Sequence, residues 1–184
     1  MKARQDTLIT AHARVETALQ AAWAEGIAKS SPLAVLLVAF DGGDQAAGAE
    51  AVDTLERALR VHCGRQRDIV LRRKHDEFLA LLPDTPPAGA RQVGGQIVEA
   101  MRRGDHPTTV SVGVAVSVPD EQQSATDLVR RAETVLRSTR AHGGNQCLGG
   151  AETPSSTSPQ SALARLHNLL PGRKKAPDLK RRTD

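Results

Sequence analysis

The stretch RQRDIVLRRKHDEFLALLP, residues 65–83, holds two short apolar runs separated by charged residues. The first run is Ile69–Leu71 and the second is Phe78–Leu82. Two such runs around a polar turn predict a β-hairpin. The turn carries Lys74-His-Asp-Glu77, whereas a tight hairpin turn usually has Gly or Asn. These unusual turn residues raise a question. The turn could be part of a site for catalysis or ligand binding, or it could be the remains of such a site.

The segments around the hairpin predict alternating helices and strands. Apolar residues recur at helical spacing in four segments, which are residues 6–26, 46–60, 88–103 and 124–142. Two apolar, β-branched runs predict buried strands, namely Pro32–Ala39 and Thr108–Val116. Their order predicts one α/β domain over residues 1–147, with a central mixed sheet flanked by helices.

The chain after residue 147 has a different composition. Residues 148–160 are rich in Gly, Ser, Thr and Pro and predict a flexible linker. Residues 161–184 predict a short amphipathic helix followed by a flexible basic tail. Residues 171–184 carry six Lys/Arg and two Asp, which accounts for the whole net charge of +4. Because the rest of the chain is neutral, we expect no nucleic-acid interface on the folded domain.

Several classes of protein are excluded by composition. No apolar stretch of about 18 residues is present, so no membrane span is expected. The N-terminus lacks the apolar segment of a signal peptide. The two cysteines, Cys63 and Cys147, are far apart in sequence and predict a reduced, cytoplasmic protein without a disulfide framework. The six histidines show no metal-ligand spacing with these cysteines, so no metal site is expected.

Five segments carry a family resemblance through their order and spacing. They are Asp6-Thr-Leu8, Pro32–Val38, Lys74-His-Asp-Glu-Phe78, Thr109-Val-Ser-Val-Gly-Val-Ala115 and Ala132–Asn145. Together they resemble the GGDEF domain, the bacterial diguanylate cyclase module that makes cyclic di-GMP from two GTP. The resemblance covers about residues 6–147 and implies a single GGDEF-like domain.

The acids that this resemblance assigns to the metal site are incomplete. A cyclase of this kind needs a carboxylate pair to hold two Mg²⁺ ions on the triphosphate. The position of the family's first metal-binding Asp falls on Ala39, and Asp41 matches the Asp that follows it. Asp76 keeps the acid of the signature. We therefore expect Asp76-Glu77 to be a solvated hairpin end, with no metal bound.

The segment after the first strand and the hairpin turn also depart from the family pattern. The segment Asp41–Gly48 is too short to hold the family's guanine-reading motifs, and Ala49 stands where their second Asp is expected. Lys74 and His75 replace the two turn glycines that allow a close backbone approach to phosphates. The resemblance therefore predicts no catalytic residues, no cyclase activity and no required cofactor.

Two positions near the end of the domain can also be compared with the family pattern. Arg140 can stand in for the family's phosphate-binding Lys, whereas Gly144 replaces its Arg. The loss of this Arg adds to the expectation of an inactive site.

One ligand motif of the family survives. Many GGDEF domains carry a product-binding Arg-x-x-Asp whose Arg lies nine residues before the signature, and Arg65-Gln-Arg-Asp68 stands there. A guanidinium can bond the O6/N7 edge of guanine and stack on the base, while a carboxylate accepts from N1 and N2. Arg72 could hold phosphate. The same residues also fit an ordinary solvated turn before a strand, and both interpretations stay open.

The resemblance thus implies a catalytically inactive domain that acts as a cyclic di-GMP receptor or signalling adaptor through Arg65, Asp68 and Arg72. It also implies a partner protein and a homodimer bridged by the ligand. The alternative is a nucleotide-independent interaction scaffold derived from a cyclase.

Overall fold

The computed structural model describes residues 2–42, 47–74, 76–105 and 108–153, with side chains described between residues 13 and 150 of these ranges. Nine elements follow one another within them. They are α1 (Lys2–Lys29), β1 (Leu33–Phe40), α2 (Ala49–His62), β2 (Ile69–Arg72), β3 (Glu77–Pro83), α3 (Pro87–Arg102), β4 (Val110–Ser117), α4 (Ala125–Ala141) and β5 (Cys147–Thr153).

The five strands form one sheet in the order β2-β3-β1-β4-β5. The pairs β1·β3, β1·β4 and β2·β3 are antiparallel, and β4·β5 is parallel. The hairpin predicted from the opening stretch is therefore present as β2 and β3. The predicted α/β class, with a mixed sheet and flanking helices, is confirmed.

The central strand β1 is buried on both faces because helices cover both sides of the sheet. Its residues alternate between two clusters, as the period of a strand requires. Leu36 and Phe40 pack in the cluster that contains α2 and α3, whereas Leu37 and Ala39 pack in the one that contains α1 and α4. Helix α4 lies directly on β4, since a Cβ on Gly113 would come within 2.5 Å of the α4 backbone.

The end of the domain differs from the prediction. The flexible linker was expected to begin at residue 148, but Cys147–Thr153 forms β5 at the edge of the sheet. Gly149 has a φ of +97° and its Cβ would lie 2.1 Å from the Val114 carbonyl oxygen, so a side chain has no room there. Because the strand uses glycines instead of an apolar pattern, its sequence looks like linker.

Helix boundaries differ by a few residues from those predicted. Gly26 was expected to end the first helix, which instead continues to Lys29. Gly26 is buried, and its Cβ would lie 2.6 Å from the Pro119 ring. The glycine is therefore explained by close packing and not by helix termination. Helix α2 begins at Ala49 and not at residue 46.

Some predicted features lie outside the described residues. They are the rest of the linker at residues 154–160, the amphipathic helix and basic tail at 161–184, and His75 of the hairpin turn. The side chains of Asp6-Thr-Leu8 also lie outside the described set. Among the helices that the structure describes, none is long and apolar enough to cross a membrane.

Candidate functional site

The end of the sheet where β1 finishes brings together the positions that a cyclase would use. Ala39 pairs with Glu77 of β3 on one side and with Ser111 of β4 on the other. Just beyond, the Phe40 N–H donates to the Asp76 carbonyl at 3.3 Å. The positions that the resemblance assigned to the end of β1 and to the signature are therefore neighbours in the sheet.

Ala39 offers only a methyl group at this position. It is 0% exposed and packs in the cluster under α1 and α4. A methyl group cannot ligate a cation, so Glu77 and Asp76 have no carboxylate partner from β1 at this register position.

Asp41 directly follows β1, and its carboxylate is hydrogen-bonded to other parts of the domain. Its carboxylate accepts hydrogen bonds from the Thr109 hydroxyl at 2.7 Å, the Ser111 hydroxyl at 2.5 Å and the Asn145 backbone N–H at 2.8 Å. These donors come from the start of β4 and from the turn after α4. The carboxylate thereby ties three segments together.

Gly144 contributes to the same arrangement. It has a φ of +68°, and a Cβ there would lie 2.9 Å from the Asp41 carboxyl carbon. A larger residue at position 144, such as the Arg of the family pattern, would collide with the Asp41 carboxyl. The glycine and the bonded Asp41 are therefore two parts of one local structure.

Arg140 does not point freely into the site. Its Nη2 donates to the Phe40 carbonyl oxygen at 2.5 Å, which fixes the end of α4 to the end of β1. Its Nε is buried and has no hydrogen-bond partner among the described atoms. The residue that stands in for the family's phosphate-binding Lys is thus engaged with backbone.

Glu77 was expected at a solvated hairpin end, and this expectation is wrong. The residue is 7% exposed and lies 2.7 Å from Arg73 Nη1 and 3.6 Å from Lys74 Nζ. Arg73 also pairs with Glu133 of α4. Burial disfavours the charged guanidinium, but its bond to Glu133 and the charge of Glu77 outweigh burial and raise the pKa of Arg73. Glu77 is buried because Arg73 compensates its charge.

Within the described part of the chain, no group of three or more His, Cys, Asp or Glu side chains is placed to hold a metal ion. The two cysteines are free thiols. Burial raises the pKa of Cys63 to about 12 and that of Cys147 to about 11, so both thiols stay protonated at neutral pH.

The second candidate region is the turn before β2, which joins Arg65 to Asp68. The backbone N–H of Arg65 and its Nε donate to Asp68 Oδ2 at 3.0 and 3.3 Å, and the Asp68 N–H donates to the Arg65 carbonyl at 2.9 Å. The Arg65 side chain is 55% exposed, whereas that of Asp68 is only 1% exposed. Arg65 Nη2 also donates to the buried Thr85 hydroxyl at 2.7 Å.

Arg72 lies apart from this pair. Arg72 ends β2 and pairs with Phe78, whereas Asp68 precedes the first residue of β2. Ile69 and Arg72 are three residue steps apart along β2, which corresponds to about 10 Å. The Arg72 guanidinium lies 5.5 Å from the centroid of the Phe78 ring, as in a cation–π contact. Of the three predicted ligand residues, the structure brings two together.

The contacts of Arg67, a further residue of this turn, were not predicted from the sequence. Arg67 bridges Glu25 of α1 and Asp84 at the end of β3, with 2.5 Å between Arg67 Nη2 and Glu25 Oε1. Its partners lie 42 and 17 residues away in the sequence, so no local pattern links them. Within the Arg65-Gln-Arg-Asp68 motif, the sequence does not distinguish Arg67 from an ordinary solvated residue.

The fold defines a class: a single α/β domain with a five-stranded mixed sheet covered by helices on both faces. The sequence profile described as "Diguanylate cyclase, GGDEF domain" matches residues 5–146. The chain belongs to the GGDEF domain family. Comparison with curated proteins gives no significant match.

Solved structures of GGDEF domains share this fold. The FimX GGDEF domain of Pseudomonas aeruginosa has a TM-score of 0.63 and 17% identity, covering 77% of this chain and 92% of that one. The DgcB GGDEF domain of Caulobacter crescentus, solved with cyclic di-GMP, has a TM-score of 0.61 and 16% identity, with coverages of 72% and 86%. The cyclase SiaD of P. aeruginosa, solved with its activator SiaC, has a TM-score of 0.63 and 21% identity, with coverages of 71% and 54%.

Proposed function

We propose that this protein is a catalytically inactive GGDEF domain that binds cyclic di-GMP at the turn of Arg65 and Asp68, with Arg72 as a further contact. In this proposal the bound state is passed to a partner protein. The observation that carries the proposal is the pairing of Arg65 with Asp68 at the surface of a fold whose cyclase end lacks its acid at Ala39.

The proposed inactivity rests on how the acids at the end of the sheet are used. Phosphoryl transfer from GTP needs cations held close to the triphosphate, where developing charge is neutralised. Here Ala39 supplies no ligand, Asp41 already accepts three hydrogen bonds, and Glu77 is paired with Arg73. Of these acids, which the structure describes, Asp76 remains, and one carboxylate is a poor site for two magnesium ions.

The proposed ligand contact follows from the chemistry of the turn. More than half of the Arg65 side chain is exposed, so its guanidinium can reach the Hoogsteen edge or the face of a guanine base. Asp68 is adjacent and can accept from the base's N1 and N2. Because Asp68 is buried against Arg65, the ligand must replace the contacts that these two residues now make with each other.

The relatives support the choice of ligand and the expectation of a partner. DgcB was solved in complex with cyclic di-GMP, and SiaD was solved in complex with an activator protein. A further GGDEF domain was solved in an interaction with cyclic di-GMP that is described as novel. Since cyclic di-GMP carries two guanines, two domains could share the ligand, and we include a ligand-bridged homodimer in the proposal.

Isothermal calorimetry with cyclic di-GMP tests the proposal. We expect binding in the micromolar range or tighter for the parent protein, and loss of at least tenfold in affinity for Arg65→Ala and Asp68→Asn. Arg130→Ala is the control, because Arg130 pairs with Asp127 at 3.1 Å over the same i,i+3 spacing on α4, with both side chains exposed. GTP turnover with Mg²⁺, followed in the same samples, should be absent. Measurable cyclase activity would overturn the proposed inactivity.

A second candidate function is a nucleotide-independent scaffold. It is favoured by one observation: Arg65 is already bonded to Asp68 and Thr85, so the turn is satisfied without a ligand. In that case the parent protein gives no heat with cyclic di-GMP at high concentration. A partner that binds the parent protein and Arg65→Ala equally well would support the scaffold.

A further inference from the structure

Arg67 lies in the middle of the turn of Arg65 and Asp68 and holds it to two other elements. Its guanidinium contacts Glu25 on α1 and Asp84 just after β3. Glu25 also pairs with Lys29 at 2.7 Å, so the contact belongs to a small ionic cluster at the end of α1. We name Glu25, Arg67 and Asp84 the Arg67 bridge.

The charges of the Arg67 bridge favour the ionised forms of all its members. The bond from Lys29, followed by that from Arg67, lowers the pKa of Glu25. The bond from Ser31, together with the charge of Arg67, lowers the pKa of Asp84. The bond to Glu25 raises the pKa of Arg67. The bridge is therefore fully ionised at neutral pH.

Both arginines of the turn are bonded to the same short segment. Arg65 donates to the Thr85 hydroxyl, and Arg67 pairs with Asp84, the residue immediately before Thr85. Asp84 has a φ of +52°, a conformation that non-glycine residues adopt infrequently. A change at either arginine therefore acts on one constrained piece of backbone.

Access of a ligand to the bonded Asp68 oxygen requires two bonds from Arg65 to break, one of them from the backbone N–H. Asp68 is 1% exposed, and its Oδ2 is bonded both to the side chain and to the backbone N–H of Arg65. A side-chain rotation of Arg65 alone leaves the bond to the backbone N–H in place and Asp68 buried. The turn from residue 65 to 68 must open, and this displaces Arg67, which lies inside it.

From these contacts we infer that Arg67 and Glu25 are positioning residues that couple the docking of α1 to the occupancy of the proposed nucleotide site. The inference rests on the proposed function. While Arg67 is bonded to Glu25, the turn stays closed with Asp68 covered. Opening of the turn by the nucleotide weakens the contact between the turn and α1. By linkage, release of the bridge favours nucleotide binding by the same factor.

The test uses the whole chain and the variant Glu25→Gln, which removes the charge on the α1 side of the bridge and keeps Arg67 and its contact with Asp84. We expect about three- to tenfold tighter cyclic di-GMP binding, within the usual range of coupling between sites. Glu16→Gln is the control, since Glu16 is an exposed acid on the same helix that bonds Gln20. It makes the same change of charge without touching the turn. Because the side chains of the bridge are partly exposed, raising the salt concentration should weaken the effect of Glu25→Gln.

Amide hydrogen exchange of the last turns of α1 provides a second measurement. If Arg67 and Glu25 only stabilise the fold, the ligand should not change these exchange rates. In the parent protein and in Glu16→Gln, cyclic di-GMP should speed exchange of these amides by at least threefold. In Glu25→Gln the amides should exchange fast already, with no further response to the ligand. Binding that leaves α1 exchange unchanged in the parent protein overturns this inference while the proposed function stands. Absence of binding in calorimetry overturns both.

Discussion

Ala39 lies opposite Glu77 in the antiparallel pair of β1 and β3, so a buried methyl group faces the one signature acid that is buried. Glu77 is compensated by Arg73, and Arg73 in turn reaches Glu133 on α4. The end of the sheet thus contains a buried, ion-paired acid. The proposed function therefore predicts that a single added acid does not create a metal site.

The first prediction concerns Ala39→Asp. The new carboxylate would be buried next to Glu77 without a compensating charge, which typically costs about 3–5 kcal/mol. Urea unfolding should show a loss of this size, and GTP turnover with Mg²⁺ should stay absent. Ala13→Asp, at an exposed position of α1, should change the free energy of unfolding little. A stable Ala39→Asp protein that turns over GTP would mean that one substitution separates this fold from a working cyclase.

The second prediction concerns the three hydrogen bonds to Asp41. In Asp41→Asn, an amide N–H₂ replaces one carboxylate oxygen, so it faces either the Ser111 hydroxyl or the Thr109 hydroxyl and the Asn145 N–H. The free energy of unfolding should fall by about 1–3 kcal/mol. Asp53→Asn, on the exposed face of α2, is the matched control and should be near neutral. Equal stabilities for the two variants would show that the Asp41 contacts contribute nothing.

The third prediction separates two neighbouring glycines that both have positive φ. Gly143 has φ +101° with nothing within 4 Å of its Cβ position, whereas the Cβ of Gly144 would meet Asp41. Ala at either position carries the backbone cost of a positive φ, roughly 1–2 kcal/mol, and Gly144→Ala adds the collision with Asp41, so it should cost more in thermal unfolding. The difference should disappear when Asp41 is changed to Ala. If it persists, the collision with Asp41 is not its cause.

The fourth prediction is the pH dependence of the Arg67 bridge. The folded protein lowers the pKa of Glu25 and of Asp84 below their ordinary values of 4.5 and 3.8. Groups of this kind stabilise the fold above the ordinary pKa and lose that effect as the pH falls through the folded pKa. The difference in melting temperature between the parent protein and Arg67→Gln should therefore have its largest value at pH 7 and should decrease below about pH 4.5.

Arg137→Gln provides the control for that titration. Arg137 bonds the Thr134 hydroxyl, a neutral partner at 3.2 Å, so its effect on melting temperature should be constant over the same pH range. A gap for Arg67→Gln that grows as the pH falls would contradict the assigned ionic contacts.

The fifth prediction concerns the cysteines. Burial raises the pKa of Cys63 to about 12, and the charge of Asp68 adds to this rise. Because the thiolate is the reactive form, Cys63 should react with a thiol reagent at pH 8 at least a hundredfold more slowly in the folded protein than in urea. Opening of the turn at Asp68 by a ligand should speed this reaction. Fast labelling of the unliganded folded protein would show that the region is more open than described.

Much of the fold was predictable because its core segments carry strong periodic patterns. The run Pro32–Ala39 became β1, and Thr108–Val116 became β4, with small changes at the ends. The strand β5 was missed because Gly149 and Gly150 fit against their neighbours without apolar side chains. Gly26 was misread because a glycine that ends a helix and one that packs against Pro119 look alike in sequence.

The candidate site was less predictable because it depends on long-range contacts. The positions of Ala39 and Asp41 in the strand were assigned by counting, but the three donors to Asp41 come from segments about 70 and 104 residues away. The burial of Glu77 depends on Arg73 and Glu133, which no local pattern connects. The separation of Arg72 from Arg65 follows from the length of β2, which becomes clear only in the sheet.

The most direct test of the central claim is a titration of ¹⁵N-labelled protein with cyclic di-GMP, followed by NMR of the backbone amides. The account predicts saturable shifts centred on Arg65 and Asp68, whose N–H groups form the closed turn. The amides of Ala39, Asp41 and Glu77 should change little. Absence of any shift, or shifts centred on the end of the sheet at Ala39 and Glu77, would contradict it.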